Sequence, residues 1–236
     1  MMKILVCDGL HESGLELLRS TEGFHVDAPD KWSMEQIAAG LGKYEAMVVR
    51  SRTQVTAEML ERANRLKVIG RAGTGVDNID VPSASARGIL VMNTPGANAM
   101  AAAEHALALM LALARHIPQA ARSIREGRWE KKQFVGTELY QHTLGILGLG
   151  RIGSIVADRA IGMGMEVIAH DPYMTPEATA VLGVHWVELD ELFARSDFIT
   201  LHAPLTRETE RIINRSSLAK MRQGTRIINC ARGGLI

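Results

Sequence analysis

The chain has 236 residues, 47% of them hydrophobic and 22% charged, enough apolar material for one or two compact domains and too much for a disordered chain. Twenty-seven basic residues against 26 acidic ones leave a net charge of +1, so no global field favours nucleic acid or an anionic membrane. Two cysteines, Cys7 and Cys230, exclude a disulfide scaffold, and no metal site is expected. The N-terminus runs directly into an apolar strand-like segment, with no basic region and cleavage site of a signal peptide, so a cytoplasmic protein is expected.

Short aliphatic runs recur at Lys3 to Cys7, Phe24 to Val26, Ala46 to Val49, Lys67 to Ile69 and Ile89 to Met92, with helix-like stretches between them. Strands that return about every 22 residues with a helix between predict parallel pairing, since a parallel crossover is long enough to hold a helix. Within these crossovers Ser33 and Gln36 have capping-box spacing, and Pro82 suits a first helical turn. Residues 1–96 therefore read as one small α/β domain.

The stretch Asn98 to Ile117 is apolar on nearly every face, which predicts a long helix covered on all sides, either within the core or against a second copy of the chain. Glu104 and His105 interrupt it, leaving nine uncharged residues to Ala114, fewer than the roughly 20 that cross a bilayer. Residues Arg122 to Gln141 are more polar and read as a projecting arm. A second alternating series then runs through Thr143 to Leu147, Glu166 to Ala169, Val184 to Trp186, Asp197 to Leu201 and Thr225 to Asn229, which makes 97–236 the second domain.

The sharpest motif is Gly148-Leu149-Gly150-Arg151-Ile152-Gly153, after one strand and opening one helix. A glycine at 148 permits a tight turn, one at 150 lets a diphosphate approach the backbone, and one at 153 lets the helix pack on the sheet. The helix opening there offers unpaired N–H groups and a positive dipole end, and Arg151 adds a phosphate contact. Asp171, which ends the next strand 18 residues beyond Gly153, is placed to accept from the adenosine ribose and to repel a 2'-phosphate. This predicts NAD rather than NADP.

A co-linear set of motifs carries a wider resemblance: Val49-Arg50-Ser51, Gly70 to Asp80, Val91 to Pro95, Leu147 to Gly153, Leu201 to Thr206, and Ile228-Asn229-Cys230-Ala231-Arg232-Gly233-Gly234. Throughout its length the chain resembles the D-isomer-specific 2-hydroxyacid dehydrogenases. The resemblance implies a flavodoxin-like substrate domain and an incomplete Rossmann-type NAD-binding domain. It implies that Arg232 is catalytic, a planar cation that binds a carboxylate with two bonds and stabilises charge on the reacting oxygen. It also implies that Thr74, Ile152, Ala203, Pro204, Cys230 and Ala231 line the cofactor cleft. Arg50, Ser51, Gly73 and Thr74 are the implied substrate ligands, Arg50 taking a substrate phosphate ahead of Arg52 and Lys132, and the Arg71 to Gly75 loop offering amides to a carboxylate. His202 is read as a packing or hydrogen-bonding residue, and Cys230 as a small hydrophobe.

The expected partners are a phosphorylated hydroxy acid and a second copy of the chain. In the family a glutamate and then a proton-transferring histidine follow the arginine. All eight histidines here precede Arg232, so the expectation is a truncated chain without turnover of its own. Two other readings stand beside this one: a family member acting on glyoxylate, hydroxypyruvate or lactate, and a non-catalytic NAD-sensing interaction protein.

Overall fold

The computed structural model describes all residues from Met1 to Ile236, which fall into two compact units, Met1–Asn98 and Ala99–Ile236.

In chain order the first unit contains β1 (Met2–Val6), α1 (Glu12–Ser20), β2 (Phe24–Asp27), α2 (Met34–Gly40), β3 (Ala46–Val49), α3 (Ala57–Glu61), β4 (Val68–Arg71), α4 (Val81–Ala86) and β5 (Leu90–Asn93). All neighbouring strands pair in parallel, in the order β2-β1-β3-β4-β5. That is the flavodoxin-like order. Leu5, Met47, Val49 and Ile69 are fully enclosed because helices cover both faces of a parallel sheet, so its central strands carry apolar residues on both sides. The capping box is present: the Gln36 N–H donates to Ser33 Oγ (3.3 Å) and the Ser33 N–H to Gln36 Oε1 (2.8 Å). Pro82 lies in the first turn of α4, capped by Asp80.

The second unit contains α5 (Ala99–Ala114), α6 (Ile117–Arg125), β6 (Thr143–Leu147), α7 (Arg151–Gly162), β7 (Glu166–His170), α8 (Pro176–Ala180), β8 (His185–Trp186), α9 (Leu189–Arg195), β9 (Phe198–Leu201), α10 (Arg215–Lys220) and β10 (Arg226–Asn229). Its parallel sheet runs β10-β9-β6-β7-β8, so the first strand of the unit lies at the centre and the chain winds outward in both directions. This is the dinucleotide-binding order over five strands. No single helix is long and apolar enough to cross a membrane.

The expected helix over 98–117 is broken. α5 stops at Ala114, α6 leaves it at 64°, and His116 between them has φ 53°. Pro118 supplies the reason: a proline ring in a helix clashes with the carbonyl four residues back, here that of Ala114, and has no N–H to give it. The freed carbonyl accepts the Thr137 N–H instead (2.9 Å). The polar arm is correspondingly shorter than 122–141, since Arg122 to Arg125 complete α6. Nor is α5 covered all round within this chain. Ala99, Ala103, Ala106, Leu107, Met110 and Ala114 form its buried stripe, packed with Val156, Ala157 and Ala160 of α7, whereas Met100, Leu109, Leu111 and Leu113 are exposed.

Candidate functional site

In the second unit the candidate site residues collect where parallel strands end. β6 leads into Gly148, and Gly148 has φ +91°. A Cβ there would lie 2.8 Å from the Ala203 nitrogen and 2.9 Å from the His202 carbonyl carbon, so any side chain would push the turn away from the end of β9. A Cβ on Gly153 would lie 2.2 Å from the Gly148 carbonyl oxygen. The turn and α7 therefore interlock backbone to backbone. Gly150 differs: it is the N-cap of α7 with φ −71°, and a Cβ on it would meet nothing within 4 Å. That open space above a helix N-terminus, beside exposed Arg151, is a cradle of the kind a diphosphate fills and a side chain would occupy. Ile152 faces the other way, partly buried against the core.

Asp171 follows β7. Its Oδ2 accepts the Leu149 N–H (2.8 Å) and its Oδ1 accepts the Tyr173 N–H (2.9 Å). Each oxygen retains a lone pair, so the carboxylate can hold the glycine turn and still accept from a ribose hydroxyl. The sequence suggests only the second of these duties. Trp186 on β8 supports the site from behind, its Nε1–H donating to the Asp171 carbonyl (3.2 Å), and His170 Nδ1 donates to the Val187 carbonyl (3.0 Å).

On the other side of β6, β9 delivers His202, buried Ala203 and exposed Pro204, and β10 delivers Cys230, Ala231 and Arg232. Burial pushes the His202 ring down to about 4, so it is neutral at ordinary pH, and its Nε2 lies 2.9 Å from Thr200 Oγ1. Burial pushes the Cys230 thiol up, which fits a packing residue and not a nucleophile. Arg232 is half-buried, with Nη1 donating to the Ala231 carbonyl (3.0 Å). Asn229, which sequence reasoning passed over, shapes this turn: its Oδ1 accepts the Ala231 N–H (3.0 Å) and its Nδ2 donates to the Arg232 carbonyl (2.8 Å). The signal for it is an asparagine at a strand end, where Asx turns form. Lys132 is exposed in the turn Lys131–Phe134.

The first unit has its own group of residues at its strand ends. Arg50 and Ser51 follow β3 and are exposed. Ser51 Oγ accepts from Arg71 Nη2 (3.0 Å), a cation that sequence reasoning placed only as a loop boundary. The Arg71 guanidinium lies over Gly73, whose φ is +155° and whose missing side chain leaves the room. The Gly73 N–H turns back to the Arg71 carbonyl (2.8 Å) and the Ala72 N–H goes to Val49 (2.9 Å). Within the loop this leaves the amides of Thr74 and Gly75 as donors for an anion. The loop is tied down by Asn93 Nδ2, which donates to the Thr74 carbonyl (2.7 Å), and by Thr74 Oγ1, which donates to Asn98 (2.9 Å). Arg52 is exposed but already engaged, donating to the Cys7 carbonyl (3.1 Å) and facing Asp8 (3.4 Å), whereas the Arg50 guanidinium makes no ion pair.

A glycine turn and helix N-terminus at the point where strand order reverses, with a carboxylate after the next strand, define a dinucleotide-binding α/β protein. Comparison with known proteins narrows this. The D-isomer specific 2-hydroxyacid dehydrogenase NAD binding domain matches residues 107–236, the span that holds Gly148, Asp171 and Arg232. D-3-phosphoglycerate dehydrogenase of Synechocystis sp. is 50% identical over 236 residues, covering 100% of this chain and 42% of that protein. A solved Thermus thermophilus structure superposes with a TM-score of 0.90 at 35% identity, covering 100% of this chain and 75% of that one. The NAD complex of Staphylococcus aureus formate dehydrogenase superposes with a TM-score of 0.89 at 29% identity, again over 100% and 75%. The chain belongs to the D-isomer specific 2-hydroxyacid dehydrogenase family, and residues 107–236 are its NAD binding domain. It spans less than half the length of the curated relatives it matches.

Proposed function

We propose that the protein carrying this chain oxidises D-3-phosphoglycerate to 3-phosphohydroxypyruvate with NAD, the first step of serine biosynthesis, in the cytoplasm. The observation that carries the substrate choice is 50% identity to a D-3-phosphoglycerate dehydrogenase along the whole of this chain. The free Arg50 guanidinium beside Ser51 and Arg71 supports it, since a phosphate needs a cation not already neutralised. In this reading residues 1–96 bind substrate and 97–236 bind the cofactor.

Bound NAD would supply the hydride acceptor for the hydroxyl-bearing carbon, and the hydroxyl proton would pass to a general base of the whole protein. Gly148, Gly150, Arg151 and Gly153 would hold the diphosphate, Asp171 the adenosine ribose, and Ala203, Pro204, Cys230 and Ala231 the nicotinamide end. Arg232 binds the substrate carboxylate and stabilises charge on the reacting oxygen through its fixed fork of donors. In the first unit the amides of Thr74 and Gly75 are donors for the carboxylate, and Arg50 receives the phosphate. Two copies associate through the exposed apolar side of α5, one patch serving both partners about a two-fold axis.

The test is steady-state turnover of the whole protein with D-3-phosphoglycerate, D-glycerate and D-lactate, with NAD and NADP in parallel. The expected outcome is a KM for the phosphorylated acid at least about tenfold below the others. Equal use of D-lactate removes the phosphate assignment. Light scattering at micromolar concentration is expected to give a dimer, and a monodisperse monomer removes the role of α5.

A further inference from the structure

The turn Arg50–Thr53 is held from both sides by two side chains. Asp8, at the end of β1, takes its donors: Oδ2 accepts the Arg50 N–H (2.7 Å) and the Thr53 N–H (3.1 Å), and Oδ1 accepts the Thr53 hydroxyl (2.6 Å). Asn78, in the loop after β4, takes its acceptors: the single Nδ2 donates to the Arg50 carbonyl (2.9 Å) and to the Thr53 carbonyl (2.6 Å). Arg50 and Thr53 thus have both backbone polar groups satisfied by the same two residues.

The details exclude an incidental arrangement. The Asp8 side chain is 3% exposed, and Asn78 and Thr53 are buried. Since both partners of Asn78 are carbonyls, its nitrogen has to face them, and this leaves Asn78 Oδ1 buried without a partner. Burial alone pushes the Asp8 carboxyl up, yet the Thr53 hydroxyl, the Thr53 and Arg50 amides and the Arg52 charge outweigh it and hold the group below the usual carboxylate range. Asp8 Oδ1 also faces Arg52 Nε (3.4 Å), so that arginine, unlike Arg50, is already paired.

We propose that Asp8 and Asn78 are a pair of positioning residues that clamp the Arg50–Thr53 turn and so aim Arg50 and Ser51 at the substrate. This rests on the reading of Arg50 and Ser51 as substrate ligands. Neither Asp8 nor Asn78 touches the substrate, so their removal raises the cost of ordering Arg50 on binding without altering the reacting groups.

Asp8→Asn in the whole protein keeps the shape, but places an amide nitrogen where the carboxylate received either the two backbone donors or the Thr53 hydroxyl and Arg52. The expected result is a KM for D-3-phosphoglycerate raised about tenfold with kcat within about twofold, and NAD affinity by calorimetry unchanged. Hydrogen exchange is expected to quicken at the Arg50 and Thr53 amides and not along β1 or β3. Thr53→Val, which removes one bond only, gives a smaller rise in KM, and Thr53→Ser restores it. An unchanged KM, a fall in kcat alone, or faster exchange throughout β1 and β3 in both Asp8→Asn and Thr53→Val overturns the clamp. If the wild-type protein turns over no phosphoglycerate, the substrate reading is what fails. The exchange measurement then judges the clamp by itself: acceleration confined to Arg50 and Thr53 upholds it, and its absence overturns it.

Discussion

Replacing Gly153 with alanine tests whether the glycine turn and α7 are interlocked as the backbone distances require. The added carbon lies 2.2 Å from the Gly148 carbonyl oxygen, 3.2 Å from the Gly148 carbonyl carbon and 3.3 Å from Ile146 Cγ2. Relieving the first contact requires the two backbone segments to part by about 1 Å. Overpacking of this kind costs about 1–3 kcal/mol, and a rigid carbonyl puts Gly153 at the upper end. Against that stands a gain of up to about 1 kcal/mol from exchanging glycine for alanine in a helix. Gly162 ends the same helix with nothing within 4 Å, so Gly162→Ala shows the gain without the clash. Gly153→Ala is therefore expected to fall about 3 kcal/mol below Gly162→Ala, the helix gain being common to both. Guanidinium unfolding read through hydrogen exchange of β6 and α7 separates this unit from residues 1–98, which a single melting temperature does not. If Gly153→Ala matches Gly162→Ala, the turn does not seat on α7 and the physical account of the third glycine is wrong.

Gly150→Ala is expected to change stability by less than about 1 kcal/mol, because no atom lies within 4 Å, while NAD affinity measured by calorimetry drops at least about tenfold. Asp171→Asn is expected to narrow the preference for NAD over NADP and to weaken NAD itself, since the Leu149 and Tyr173 amides lose a charged acceptor; equal NAD binding by the variant contradicts this. Burial keeps His202 neutral in the folded state down to about pH 4, whereas the unfolded chain takes up the proton near pH 6.5. Stability from this residue is therefore complete above pH 6.5 and falls by about 3 kcal/mol as pH drops to 4, so His202→Asn is expected to unfold with a flatter pH dependence over that window, followed by denaturant titration.

Strand positions were legible because parallel interior strands need apolar residues on both faces, and runs such as Ala46 to Val49 and Thr143 to Leu147 admit no other reading. Gly148 and Gly153 were legible for a related reason: their function is the lack of a side chain, and that shows in the sequence itself. The break after Ala114 was readable in principle from Pro118, but the apolar pattern continues through Ile117 and outweighed a single proline. Arg71, Asn78 and Asp8 were not legible. Their partners lie 20 to 45 residues away in the chain, and only the order of strands brings them together.

The two carboxylates Asp8 and Asp171 follow one rule, which the sequence reading caught in part. Each stands at the end of a parallel strand and accepts backbone N–H groups from the turn that follows the adjacent strand: Asp8 after β1 holds Arg50 and Thr53 beyond β3, and Asp171 after β7 holds Leu149 beyond β6. Such turns leave the sheet where its ladder ends, so their amides have lost strand partners and are close to a site from which water must be excluded when ligand binds. A neighbouring carboxylate satisfies them and, by its charge, binds them more firmly than a carbonyl does. An aspartate at a strand end therefore carries two readings at once, ligand for a bound molecule and ligand for the protein's own loop. In Asp171 both duties fit the lone pairs available; in Asp8, with Arg52 also drawn against it, the loop takes the whole group.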